Sequence, residues 1–177
     1  MAIPRTLLAR LGSTHRTSRW LSSAFHRYRQ HARGLTLGAR ALVLRERAGR
    51  VEAFFIRHTY APGLQLPGGG IEPGEGAVEA LMRELWEEGR IRPSEPPTLF
   101  GLYHNGPDWP RDHVALYVLR RFEQPEPPRP DAEIAEHLWL DVDALPQDVL
   151  ASARARIAEV VRGAAVSETW VPNNAGA

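Results

Sequence analysis

The chain is expected to fold as a mixed α/β sandwich. Three observations lead there: several short apolar runs of strand character, a glycine-rich turn that enters an amphipathic helix, and a second amphipathic helix near the end. The first two runs, Leu35 to Leu44 (LTLGARALVL) and Val51 to His58 (VEAFFIRH), flank Arg47-Ala48-Gly49-Arg50, a hairpin-type turn. A short stretch, Leu64-Gln65-Leu66, precedes the turn Pro67-Gly68-Gly69-Gly70. The helix after it is expected over Gly76 to Glu88, with Val78, Leu81 and Leu85 on its core face and Gly89 as its stop. Thr98 to Tyr103 and His113 to Phe122 read as strands around the polar loop His104 to Asp112. Glu123 to Pro130 is Pro-rich and expected to be an extended, ordered linker. His137 to Val142 is a short strand, and Asp148 to Arg162 a closing helix with Val149, Ile157, Val160 and Val161 on its apolar side. Residues 1–33 read as a basic N-terminal extension, 34–165 as the folded domain and 166–177 as a loose tail.

Composition narrows the chemistry. At 177 residues the chain is long enough for one domain with a real core, and 43% hydrophobic with 24% charged residues is ordinary for a globular protein. No apolar run approaches the length of a membrane span. The absence of Cys excludes disulfides, thiolate metal sites and a Cys nucleophile. All 22 basic residues are Arg, which excludes lysine Schiff bases and P-loop lysine chemistry. The net charge of +1 is unevenly spread: no Asp or Glu precedes Glu46, whereas Arg is frequent from Arg5 to Arg45. Leu7, Leu8, Leu11, Trp20, Leu21 and Phe25 have amphipathic spacing, so the extension has the composition of a transit peptide or of a surface for acidic lipid or RNA. A solvated extension that partly docks on the domain is the plainer reading. The expected setting is the cytoplasm, and the all-Arg, Ala-rich usage points to a GC-rich bacterium. Mitochondrial-type targeting is the alternative.

The segment Gly69 to Glu88 (GGIEPGEGAVEALMRELWEE) carries the functional signal. Glu84, Glu87 and Glu88 sit at i, i+3 and i+4, on one side of about one helical turn. Like charges that close repel by up to ~4 kcal/mol per pair at a near-surface dielectric. An all-oxygen cluster without Cys or clustered His suits Mg²⁺ or Mn²⁺ rather than zinc. The glycine turn offers backbone amides of Gly69 and Gly70 beside the helix start, a place that accepts anions. Metal carboxylates beside such a turn point to metal-assisted phosphoryl chemistry, with one carboxylate free to orient or deprotonate water.

Gly69-x5-Glu75-x7-Arg83-Glu84-Leu85-x-Glu87-Glu88 resembles the signature of the Nudix hydrolase family, and the likeness extends over about Thr36 to Arg162. The resemblance implies an α/β/α sandwich with a mixed sheet. It implies that Glu84, Glu87, Glu88 and the Gly68 carbonyl bind divalent metal, that one glutamate serves as base, and that Arg83 fixes the glutamates by salt bridges. Glu75 would hold the loop–helix geometry. A further carboxylate from a later loop, ahead of Trp139, is implied; Glu133 fits that place and Glu136 is second choice. The pattern departs after Glu88: Gly89, Arg90 and Ile91 bring the glycine one position early, and a locally altered helix end is expected. Leu64 stands where family members commonly have a Trp.

Around this core, Arg57 has two readings: a phosphate contact or a partner for a structural carboxylate. Tyr103 and Trp109 are candidates for stacking on a nucleobase or for closing the core. Pro107 has a spacing found in family members that cleave ADP-ribose. His58, His104, His113 and His137 read as strand-end or surface residues. The expected activity is Mg²⁺- or Mn²⁺-dependent hydrolysis of the diphosphate linkage in a nucleoside diphosphate linked to another moiety. ADP-ribose and other nucleotide sugars, modified nucleoside triphosphates, dinucleoside polyphosphates and capped RNA ends are the candidate substrates. The alternative is a non-catalytic module that binds a nucleotide metabolite as a signal, using the basic extension to reach a partner. An isomerase of prenyl diphosphates is a third reading, disfavoured by the absence of Cys. The partner is a small nucleotide; nucleic acid is not expected, and a homodimer is left open. Removing residues 1–33 is expected to leave turnover unchanged in a steady-state assay, and loss of activity would place the extension within the working enzyme.

Overall fold

The computed structural model describes residues 34–106 and 109–172. The basic extension expected over residues 1–33 lies outside the described residues, as does Pro107. The elements run β1 (Thr36–Arg47), β2 (Arg50–His58), β3 (Gly68–Gly70), α1 (Ala77–Gly89), β4 (Arg92–Pro93), β5 (Thr98–His104), β6 (Asp112–Leu119), β7 (Phe122–Glu123), β8 (Ile134–Asp141) and α2 (Ala151–Arg162). Among them, no helix is long and apolar enough to cross a membrane.

Six strands form one mixed sheet in the order β5-β6-β1-β2-β8, with β3 paired to β1. Only the β1–β6 pairing within it is parallel. β1 organises the sheet because different stretches of it serve different neighbours. Gly38 to Arg40 pair with β3, and Leu44 to Arg47 pair with β2. Between β1 and β2, Ala48 and Gly49 both adopt positive φ, 51° and 75°, as a two-residue hairpin turn requires.

Both faces of the sheet are buried, and the side chains alternate between them. Ala39, Ala41, Val43, Phe54 and Ile56 pack with Leu81 and Leu85 of α1. Leu42, Leu44, Ala53 and Phe55 pack with Ala153 and Ile157 of α2. This period of two along strands covered on both sides produces the helix–sheet–helix sandwich.

Several expected boundaries move, each for a long-range reason. Val78 is 39% exposed rather than in the core; Ala80, Leu81 and Leu85 form the buried face of α1. Gly89 is not the left-handed stop. It is the last helical residue, and Arg90 takes the left-handed conformation at φ 52°. The helix end is closed by the Arg90 amide donating to the Trp86 carbonyl and the Ile91 amide donating to the Leu85 carbonyl. Gly89 is required for space, since a Cβ there would lie 3.0 Å from both Phe54 and Ile91. The strand expected over 113–122 breaks after Leu119, because Phe122 leaves to pair with Pro93 and stack on Trp139 at 5.6 Å. β8 starts earlier than expected, with Ile134 buried and paired to His58. α2 starts later, because the Asp148 carbonyl accepts from the Leu64 amide and the Leu150 amide donates to the Leu64 carbonyl, which holds these residues extended.

The tail expected to be loose over 166–177 is docked as far as it is described. Its Glu168 carbonyl accepts from the His104 amide, and its Trp170 amide donates to the His104 carbonyl. Trp170 is buried edge-on against Tyr103, at 5.7 Å. Beneath it the fully buried Arg156 lies 3.8 Å over the Tyr103 ring and pairs with Glu159 at 2.7 Å. Glu159 also accepts from the Tyr103 hydroxyl and the Ser167 amide, so its carboxylate is fully engaged, while Arg156 Nε is buried without a partner. Trp170→Ala is expected to lower unfolding stability by about 3–5 kcal/mol, measured by urea denaturation; an unchanged midpoint would show that the segment contributes no packing.

Candidate functional site

The site begins at Gly68, whose φ of +128° belongs to glycine. A Cβ there would collide with the Ala39 carbonyl of β1, so the turn is pressed against the sheet. From this position the Gly68 amide donates to a Glu88 carboxylate oxygen at 2.6 Å. Gly69 is also forced: an added Cβ would stand 2.5 Å from Glu84 Oε1. Turn and helix are therefore in direct contact through the residues that the sequence singled out.

Arg83 binds the arrangement together. Its Nε and Nη2 donate to Glu75 at 3.0 and 3.2 Å, and its Nη1 donates to Glu84 at 2.7 Å and to Glu87 at 3.4 Å. Nη2 also reaches the Gly70 carbonyl at 3.3 Å. Hydrogen bonds to Glu75 and Glu84 raise the Arg83 pKa further above its ordinary value, and the same contact depresses that of Glu75.

The three helix glutamates have different surroundings. The Glu87 side chain is 58% exposed, that of Glu84 only 15%, and Glu88 is buried. Burial pushes the Glu88 carboxyl up to about 8, against the pull of the Gly68 amide and the charge of Arg40. His58 Nε2 lies 3.9 Å from Glu88, and its Nδ1 is buried without a partner. Burial and then the Arg40 charge lower the His58 pKa. Its ring stacks on Tyr60 at 4.8 Å, and the Tyr60 hydroxyl donates to Glu133 at 3.4 Å.

Glu133 thus stands beside the helix cluster, and its charge acts on both Glu88 and His58. Glu136, the second choice, is spent elsewhere in an ion pair with Arg57 at 2.7 Å. Arg57 also pairs with Asp148 at 2.7 Å, which realises the structural one of its two readings. Tyr103, a candidate for substrate contact, is instead fully buried with its hydroxyl donated to Glu159. Trp109 is 66% exposed in the loop between β5 and β6. Alongside Glu87 opens a cleft of about 370 Å³, walled by Arg90, Glu126 and the segment from Pro127 to Asp131.

Arg40 was not among the expected site residues. It sits on β1 opposite Gly68 in register, and its Nη1 donates to the Leu66 carbonyl at 2.7 Å. Burial lowers its pKa, while Glu88 and Glu84 act in the opposite sense. The available signal was a lone charge inside the apolar run LTLGARALVL. Among the described residues, no three His, Asp or Glu side chains converge as they stand into a set that would hold a metal ion. Arg83 draws Glu84 and Glu87 toward itself, and the Gly68 amide holds Glu88.

The profile of the NUDIX domain matches residues 34–162. The human 8-oxo-dGDP phosphatase NUDT18 is 50% identical over 46 residues, 26% of this chain and 14% of that protein. A nucleoside triphosphate pyrophosphatase/Nudix hydrolase fusion protein of Bifidobacterium longum is 28% identical over 130 residues, 67% of this chain and 26% of that one. The chain thus spans well under half the length of either relative. The crystal structure of a MutT NUDIX hydrolase from Burkholderia pseudomallei shares the fold with a TM-score of 0.60 at 24% identity, over 71% of this chain and 98% of that one. With the family profile covering most of its length, the chain belongs to the Nudix hydrolase family.

Proposed function

We propose that the chain is a divalent-metal-dependent pyrophosphohydrolase acting on a nucleoside diphosphate linked to a further group. The observation that carries this reading is the Arg83 hub, which gathers Glu75, Glu84, Glu87 and Gly70 at the junction of turn and helix.

The residues suit a hard cation. The donors are all oxygen, and Glu88 is a buried carboxylate whose pKa is raised by its burial, a cost that a bound cation would offset. Glu84, Glu87, Glu88 and the Gly68 carbonyl, with Glu133 beside them, would hold Mg²⁺ or Mn²⁺, which when bound offsets phosphate charge and acidifies water. The chain's own groups do the rest. Arg83 keeps Glu84 and Glu87 in place, and the Gly69–Gly70 backbone would offer its amides to a phosphate. One of the three glutamates takes the proton of a water molecule. The water oxygen bonds to one phosphorus, the bond from that phosphorus to the bridging oxygen breaks, and two phosphate-bearing products separate. The cleft beside Glu87 offers room for the remainder of the substrate, and the exposed Trp109 ring is available for stacking on a base.

The test is phosphate release after coupling to a phosphatase, across a nucleotide panel with Mg²⁺, Mn²⁺ or EDTA. The panel should hold ADP-ribose, other nucleotide sugars, dinucleoside polyphosphates, capped RNA and nucleoside di- and triphosphates with oxidised bases, the last suggested by the human relative's name. Metal-dependent release from at least one compound is expected. Binding without release would favour the nucleotide-binding module instead.

Two substitutions probe the assignment. Glu87→Gln is expected to cut metal-dependent turnover by about 100-fold or more, with an unchanged melting temperature because the side chain is largely solvent-facing. Near-normal rates would remove Glu87 from the site. Gly69→Ala would press a methyl group against Glu84 and is expected to lower turnover while helical circular dichroism is retained. Full activity in that variant would mean that the turn and Glu84 need not touch.

A further inference from the structure

We propose that Arg40 is a phosphate-contacting residue, anchored from behind by the Leu66 carbonyl and presenting its remaining donors to a non-bridging oxygen of the substrate's diphosphate. This rests on the pyrophosphohydrolase reading of the same site.

The backbone at Arg40 has little freedom. Arg40 lies within the sheet, flanked by fully buried Ala39 and Ala41, and is paired in register with Gly68. The close approach of Gly68 to the Ala39 carbonyl and the Arg40 Cα fixes the distance from this strand to the glycine turn. Its side chain therefore starts from a rigid point beside the carboxylates.

The guanidinium is held by one hydrogen bond, from Nη1 to the Leu66 carbonyl. Several other partly or fully buried arginines have carboxylate partners: Arg45 with Glu52, Arg57 with Glu136 and Asp148, Arg83 with Glu75 and Glu84, Arg156 with Glu159. Arg154 has none, but its donors are taken up by the carbonyls of Leu145, Pro146 and Val149. Arg40 has none within 4.0 Å among the described residues. No hydrogen bond is formed by its other nitrogens among the described residues, and neither is wholly enclosed. A half-buried cation with most of its donors free is poorly compensated. The acidic groups that its charge reaches are Glu88, Glu84, Tyr60 and Asp112, and it also acts on His58. Glu84 and Glu88 are the carboxylates assigned to metal, so a bound cation would take up their charge and leave Arg40 without an anion. The substrate's diphosphate supplies one. A planar fork of N–H donors, pinned at Nη1 and with its other donors unpaired, matches the oxygens of a phosphate.

The experiment uses the full chain with Arg40→Gln and Arg40→Lys, titrated with imidodiphosphate in Mg²⁺. The P–N–P bridge of this probe resists hydrolysis, so the titration reports binding without turnover. Arg40→Gln is expected to weaken the probe by about 10- to 100-fold, the usual range for a charge-assisted contact, and Arg40→Lys to recover part of the loss. Melting temperatures are taken in parallel. Wild-type affinity in Arg40→Gln, or a lowered melting temperature with unchanged affinity, overturns the proposal and leaves Arg40 as a support for the Leu66 carbonyl. Should Arg40→Gln fail to fold, Arg40→Lys decides: its point charge lacks the fork, so about 10-fold weaker binding is expected, and unchanged affinity overturns the proposal. A wild-type chain that hydrolyses nothing in the nucleotide panel defeats the enzyme reading, whereas the imidodiphosphate titration still decides the role of Arg40.

Discussion

The guanidinium of Arg83 is the point from which the site is held. A helix carrying Glu84, Glu87 and Glu88 within about one turn is electrostatically unfavourable without a cation. Arg83 supplies that cation from within the same turn and adds Glu75 and the Gly70 carbonyl, so that loop and helix share one hydrogen-bonded centre. It draws in Glu84 and Glu87 but leaves Glu88 on the far side, held by the Gly68 amide. The result is a set of carboxylates graded in burial, from exposed Glu87 through half-buried Glu84 to buried Glu88.

This grading depends on the sheet as much as on the helix. The turn can reach Glu88 only because Gly68 has no side chain to meet β1. β1 in turn is fixed by β6 on one edge and by β3 and β2 on the other. A constraint that looks local in sequence, three consecutive glycines, is therefore met by packing against a strand about thirty residues earlier.

What could be read from the amino-acid order follows from this division between near and far. The glycine turn and the amphipathic helix lie within one short segment and were plain from their spacing, whereas the salt-bridging role of Arg83 was implied by the resemblance to the Nudix signature. The first hairpin was equally plain, since Ala48-Gly49 between apolar runs leaves little choice of turn. Features that depended on distant partners were not readable. Val78 has the spacing of a core residue, but the sheet meets α1 along Ala80, Leu81 and Leu85. Nothing near Arg57 in sequence announces Glu136 and Asp148, and nothing near Tyr103 announces Glu159. Arg40 became visible only when β1 and the glycine turn were set side by side.

The docking of the last described segment has a practical side. The family profile stops at residue 162, yet Trp170 belongs to the same apolar layer as Leu42 and Phe55. A recombinant fragment trimmed to the profile's borders would strip the lid from Arg156 and Tyr103 and leave an oily, charged hollow beside α2. Homology and foldability draw their lines in different places here, and a cloning strategy guided by the first alone would cut into the core.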